Sequence, residues 1–160
     1  MVQLNLPVCK FRIKKEDEKV FIFDDLRKKF VLLTPEEWVR QNFLRFLICE
    51  KKFPASLIAV EKQLTVNGLK KRFDALIYGH DAQPLAIVEF KSPDVEIQQN
   101  VFDQAATYNL ALNVRFFIIS NGLTHYFCEL DKINSKYIFH REIPFYCELD
   151  MRIAYCDKRL

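Results

Sequence analysis

Two apolar runs, Arg72-Phe73-Asp74-Ala75-Leu76-Ile77-Tyr78 and Leu85-Ala86-Ile87-Val88-Glu89-Phe90-Lys91, are separated only by Gly79-His80-Asp81-Ala82-Gln83-Pro84. Short apolar runs bounded by Gly and Pro predict an antiparallel hairpin of buried strands. Besides Arg72 at the start of the first run, three charges break the pattern: Asp74, Glu89 and Lys91. An unpaired buried charge costs several kcal/mol, so each needs a partner or a task. Side chains alternate along a strand, so Glu89 and Lys91 share a face, roughly 7 Å apart. A turn centred between Asp81 and Ala82 places Asp74 opposite Glu89 and Arg72 opposite Lys91. Directly opposed residues have Cβ atoms about 5 Å apart. Two carboxylates that close repel unless a proton or a cation lies between them. A hard divalent cation such as Mg2+ would fit; the structural alternative is an Asp74 to Lys91 ion pair at a strand end.

The remaining elements build a sheet around this hairpin. Short strands are predicted at 11–14, 20–23 and 30–33, forming an N-terminal hairpin or small annex. The clearest helix runs over 35–49: Thr34 caps it, Pro35 opens it, and Glu37 stands where a capping-box partner belongs. A strand over 57–66 leads to the Asn67-Gly68 turn. A second helix is expected over 94–112, because Ile97, Val101, Ala105, Tyr108 and Leu112 recur at three- and four-residue spacing. Strands follow at 114–120 and 123–130, on either side of Asn121-Gly122. Beyond them, Ile138, Ile143 and Phe145 suggest one or two more. The order helix, three strands, helix, two strands predicts an α/β sandwich: a central mixed β-sheet flanked by helices, with an N-terminal β-hairpin annex. One domain is expected over 1–160, divided into the annex (1–33), a core (34–130) and a C-terminal extension (131–160).

Composition removes several other chemistries. Three glycines in 160 residues cannot build a GxGxxG turn or a Walker A loop. The histidines His80, His125 and His140 match no zinc spacing, and no serine lies in GxSxG. Cys9, Cys49, Cys128, Cys147 and Cys156 are odd in number and form no CxxC pair, so they are expected to be core thiols of a reducing compartment. No charge-free run approaches the roughly 20 residues of a membrane span, and the first ten residues lack a signal-peptide block. A cytoplasmic location away from the membrane is therefore expected. A net charge of +3 permits a polyanionic partner without demanding one, although 27–29, 51–52 and 70–72 are locally basic.

Both helices add candidates. At about 100° per residue, Glu36 lies within the stripe of Val39, Phe43 and Leu47, while Glu37 lies at its edge. Glu36 is either a third site carboxylate or a first-turn acid favoured by the helix dipole. Arg40, one turn on, could pair with it or contact phosphate. In the second helix Gln104 and Tyr108 share a face, which alone would signify only a core tyrosine beside an amide.

As a set, these residues resemble the PD-(D/E)XK nuclease superfamily, and specifically the N-terminal nuclease domain of type I restriction enzyme R subunits. The matching pieces are Thr34-Pro35-Glu36-Glu37-Trp38-Val39-Arg40-Gln41, Phe73-Asp74, Glu89-Phe90-Lys91-Ser92-Pro93, and Gln104 to Tyr108, which is similar to a Q-x-x-x-Y element. Phe73 stands where many members have proline. The resemblance covers about 10–130 and contains no helicase motor. It implies a restriction-endonuclease-like fold and a stand-alone, metal-dependent DNA endonuclease. Asp74, Glu89, Glu36 and the Phe90 carbonyl would hold one or two Mg2+, with Mn2+ as a substitute. Lys91 would orient or deprotonate the attacking water. Gln104, Tyr108 and Arg40 would position the substrate or the lysine, while Lys70, Lys71 and Arg72 would contact phosphates. The implied partners are DNA and either a second copy or motor and specificity subunits in trans. The rival expectation is a non-catalytic DNA-binding or scaffolding module of a larger restriction or repair assembly.

Overall fold

The structure, a computed structural model, describes residues 2–66, 69–99, 101–102, 114–131 and 136–150. Its N-terminal part is a three-stranded antiparallel sheet rather than a simple hairpin: β1 (Ile13–Glu16), β2 (Lys19–Asp24) and β3 (Lys29–Leu32). The β1–β2 turn is made by Asp17 and Glu18, both at positive φ (44° and 65°), the backbone that a two-residue hairpin requires. Ile22 and Asp24 point inward and are buried, so the small sheet is anchored to the rest of the molecule by one apolar and one charged residue.

Helix α1 (Pro35–Cys49) starts as its sequence predicts. Thr34 Oγ1 accepts the Glu37 backbone N–H at 3.1 Å, with Pro35 in the first turn. Val39, Phe43, Leu44 and Leu47 form its buried stripe. The main sheet has six strands in the order β4 (Ile58–Val66), β5 (Leu69–Tyr78), β6 (Pro84–Phe90), β7 (Phe116–Ser120), β8 (His125–Asp131) and β9 (Lys136–His140). All neighbours are antiparallel except β6 and β7, which the crossover makes parallel. This is the mixed sheet expected of an α/β nuclease-like fold. On one face, Ile77, Val88, Phe90 and Ile118 pack with α1; on the other, Leu76, Ile87, Phe117 and Ile119 pack with Val101 and Val114.

The crossover helix begins later than its periodicity suggests. Helical residues first occur at Gln99, not Asp94. The Val95 N–H turns back onto the Ser92 carbonyl, and the Asn121 side-chain amide donates to the Val95 carbonyl at 2.9 Å, which holds this stretch as a loop. The expected helical positions Ala105, Tyr108 and Leu112 lie outside the described residues. Near the C-terminus, Ile138 is in β9 as expected, but Ile143 and Phe145 are not in a strand. Ile143 fills the core, and Phe145 precedes a short helix α2 (Tyr146–Leu149), whose Tyr146 hydroxyl donates to the Tyr78 carbonyl at 2.9 Å. The core-thiol expectation holds for Cys128, which is buried, but not for Cys49 at the end of α1, which is exposed; Cys9 and Cys147 are half-buried, and Cys156 lies outside the described residues. Among the described residues no helix is long and apolar enough to cross a membrane.

Gly122, in the turn between β7 and β8, has φ +83°. A Cβ there would stand 2.7 Å from Leu4 Cδ2 and 3.1 Å from Val39 Cγ2. The N-terminal segment crosses at this point, with the Asn5 N–H donating to the Gly122 carbonyl at 2.8 Å. Gly122→Ala is therefore expected to cost about 1–3 kcal/mol, from backbone strain plus displacement of Leu4 and Val39. Urea unfolding would measure it; a loss below about 0.5 kcal/mol would contradict the packing.

Candidate active site

The β5–β6 hairpin has the predicted register as far as Ile77, beyond which a one-residue shift sets Tyr78 against Pro84 rather than Leu85. Ala75 pairs with Val88, Leu76 with Ile87 and Ile77 with Ala86, so the same register continued by one step sets Asp74 against Glu89. At that step a side chain takes over from the ladder: Asp74 Oδ2 accepts the Phe90 backbone N–H at 2.8 Å. On the other side of β5, Val60 pairs with Ala75 and Lys62 with Phe73, and the ladder is interrupted between them at Glu61 and Asp74. Glu61 has φ +52°, a costly backbone for a non-glycine residue within a strand. Phe73 and Leu76 also pack into the same cluster although three apart, whereas strict alternation would separate them. The change of face coincides with the interruption at Glu61 and Asp74, where the Asp74 carboxylate faces Arg40 of α1.

There it meets Arg40. The guanidinium is buried, with Nη2 2.9 Å from Asp74 Oδ1 and 3.2 Å from Glu36 Oε1, and Nη1 2.5 Å from Glu37 Oε2. Burial opposes its charge, but Asp74, Glu37 and Glu36 together raise its pKa above the ordinary arginine value. Glu37 does not complete a capping box. Its carboxylate accepts from Arg27, Arg40 and the Gln41 amide, because two guanidinium groups offer a stronger interaction than the Thr34 backbone N–H. Arg27, which the sequence groups with the basic cluster 27–29, is largely buried. It joins Asp24, Glu37 and Glu61. Asp24 accepts two further backbone N–H bonds from Leu26 and Arg27. Although burial pushes its carboxyl up, the Arg27 hydrogen bonds and charge outweigh that and hold it below the usual carboxylate range. Asp24, Arg27 and Glu61 thus support the site from the N-terminal sheet and β4, a role that no local sequence signal marks.

Glu89 is the most perturbed group. Burial, then the charge of Asp74, push its carboxyl up to about 8, against the opposing effect of Lys91, and its Oε1 has no hydrogen-bond partner. Glu36 is raised too, by burial first and then by Asp74, while Arg40 and Lys91 lower it. The Lys91 charge therefore reaches both Glu36 and Glu89. Its backbone N–H donates to the Ser120 carbonyl at 3.0 Å, extending the parallel β6–β7 ladder by one residue. Asp74, Glu89, Glu36 and Lys91 form one electrostatic group. Among the described residues, however, no three His, Cys, Asp or Glu side chains are close enough as they stand to hold a metal ion.

A raised carboxyl pKa stabilises the folded protein when protonated. That contribution is complete below the ordinary value of 4.5 and is lost as pH rises toward about 8. In chelator-treated protein, stability is expected to fall by a few kcal/mol across this window. Glu89→Gln is expected to remove most of that slope and to be more stable than the parent at pH 8. Thermal unfolding at pH 5 and pH 8 would show it; parallel pH profiles for the two proteins would contradict the assignment.

Of the other expected site residues, Arg72 is exposed and pairs with Glu61 at 2.9 Å, one residue pair away from the distortion. Lys70 and Lys71 pair with Thr65 and Leu64 in the β4–β5 ladder. Gln104 and Tyr108 lie outside the described residues.

The family model for the type I restriction enzyme R protein N terminus matches residues 35–144, more than half of the chain. The chain belongs to this family. A solved structure described as a fragment of an HsdR subunit of a type I restriction enzyme from Vibrio vulnificus YJ016 matches with a TM-score of 0.56 and 24% identity. The match covers 76% of this chain and 25% of that one, so the chain spans about a quarter of the related structure. At that identity the likeness speaks for the fold. No curated protein matches the sequence.

Proposed function

We propose that this chain is a metal-dependent DNA endonuclease of the PD-(D/E)XK type. The observation that carries the reading is Glu89: a carboxylate oxygen buried without a partner, beside Asp74 and Lys91, at the end of a core strand. An orphaned buried acceptor of this kind is suited to a cation. Asp74, Glu89, Glu36 and the Phe90 carbonyl are all oxygen donors, the set that Mg2+ prefers and Mn2+ accepts. They are the residues that would hold the ion. When bound, it supplies Lewis-acid stabilisation of the phosphate and a more acidic water. Lys91 orients the attacking water through its ammonium and adds positive charge beside the scissile phosphate. Lys70, Lys71 and Arg72 contribute sequence-independent phosphate contacts, and Gln104 and Tyr108 position the substrate or the lysine. DNA is the substrate, with a second copy of the chain or motor and specificity subunits supplied in trans.

One observation favours a second reading, a non-catalytic DNA-binding module. Both Asp74 oxygens are already engaged, by Arg40 and by the Phe90 N–H. Incubation with supercoiled and linear DNA, with and without Mg2+ or Mn2+, separates the two. Metal-dependent cutting supports the nuclease, whereas a retarded but intact DNA band under every condition supports the binding module.

A further inference from the structure

As the side chains stand, the Arg40 guanidinium is engaged by carboxylates. Its Nη1 end is anchored by Glu37 at 2.5 Å, with Glu61 3.9 Å away. The Nη2 end bridges Asp74 Oδ1 and Glu36 Oε1, at 2.9 and 3.2 Å. Nε is buried without a hydrogen-bond partner. Two of the three carboxylates assigned to the metal are thus joined by one nitrogen of a protein cation.

We propose that Arg40 is a resident counter-cation of the metal site, whose Nη2 end holds Asp74 and Glu36 together and must give way when a divalent ion binds. This rests on the metal-dependent reading above. A hard cation draws carboxylate oxygens to about 2.0–2.1 Å, much closer than a guanidinium nitrogen, and the same oxygen cannot serve both without a change of geometry. Charge balance points the same way. With Arg40 in place the charge of Asp74 and Glu36 is partly offset from within the protein, and an arriving ion must displace that cation as well as coordinate oxygen. Displacement can be confined to one end of the fork, because Nη1 stays on Glu37, which Arg27 and Gln41 also hold. The freed Nη2 and the unpartnered Nε then become donors for a phosphate oxygen, the geometry in which arginine binds phosphate best. Metal and nucleic acid would therefore favour the same displaced state, and each would tighten the binding of the other.

The test is calorimetric titration of Mn2+ into the whole chain, comparing the parent with Arg40→Gln, Asp74→Asn and Arg45→Gln. Arg45 lies on the same helix but pairs with Asp25, so it controls for loss of a positive charge in general. Arg40→Gln is expected to bind Mn2+ about tenfold more tightly, the scale of one lost charge-assisted hydrogen-bond competitor, with Arg45→Gln within about twofold of the parent. Asp74→Asn should bind more weakly. A merely structural role for Arg40 would weaken binding instead of strengthening it. Should Arg40→Gln fail to fold by circular dichroism, Arg40→Lys keeps a cation for Glu37 but lacks the fork, and is expected to bind more tightly than the parent by a smaller factor. Unchanged or weaker binding in a folded Arg40 variant, or an equal gain in Arg45→Gln, overturns the competition while leaving the metal site standing. No Mn2+ binding by the parent, Arg40→Gln and Asp74→Asn alike overturns the metal reading beneath it.

Discussion

Replacing Lys91 with Ala is expected to lower the rate of metal-dependent DNA cleavage by about 10²- to 10⁴-fold, the usual loss when a positioned acid–base group is removed. The fold should be nearly indifferent to the change. Lys91 contributes to the sheet through its backbone N–H to Ser120, which alanine retains, and it follows the last residue of β6. What it does contribute is charge: it lowers the carboxyl pKa of both Glu36 and Glu89. Its loss leaves those acids more easily protonated, so the residual activity of Lys91→Ala should also be displaced toward higher pH. Single-turnover cleavage rates across pH 6 to pH 9, beside thermal unfolding curves, would measure both effects. A fall in rate of less than about threefold would remove Lys91 from the chemistry.

Glu37→Ala should be the most damaging single change to stability. Three side chains converge on this carboxylate, two of them guanidinium groups with little exposure to water. Breaking a buried ion pair from one side leaves the other charge uncompensated, typically at about 3–5 kcal/mol. For a chain of this length that corresponds to a drop of roughly 10 °C in Tm. The damage would spread through named contacts. Arg27 links Glu37 to Asp24 of the N-terminal sheet and to Glu61 at the strained point of β4. Arg40 links it to Asp74. Glu37→Gln, which keeps an acceptor but no charge, should lie between the two proteins. A loss under 1 kcal/mol by denaturant unfolding would mean that the network is worth little.

The hairpin at the centre of the sheet was legible because its determinants are local. Gly79 and Pro84 mark the turn, and the two apolar runs set which residues of β5 and β6 oppose one another, whereas the one-residue shift between Ile77 and Tyr78 carries no local signal. Thr34 and Pro35 likewise announced α1. Less visible was anything decided across the sheet. Glu61 resembles any exposed acid in a strand, yet it takes a positive φ where the ladder beside Asp74 is interrupted. Arg27 stands in a run of three basic residues, and only the fold shows that it turns inward while its neighbours Lys28 and Lys29 stay exposed. Glu37 satisfied a local capping pattern but was claimed by two arginines, one of them ten residues earlier in the chain. The start of the crossover helix was misplaced because periodicity cannot register the Asn121 side chain that holds Val95 in a loop.

The central claim is that Asp74, Glu89 and Lys91 form a working phosphodiesterase site. Its most direct test follows supercoiled DNA in the presence of the protein and Mg2+, with chelator and with Glu89→Gln in parallel. The account predicts nicking and linearisation that require the metal and vanish in the variant. DNA left intact by the parent protein in both Mg2+ and Mn2+, or cleaved equally well by Glu89→Gln, would contradict it.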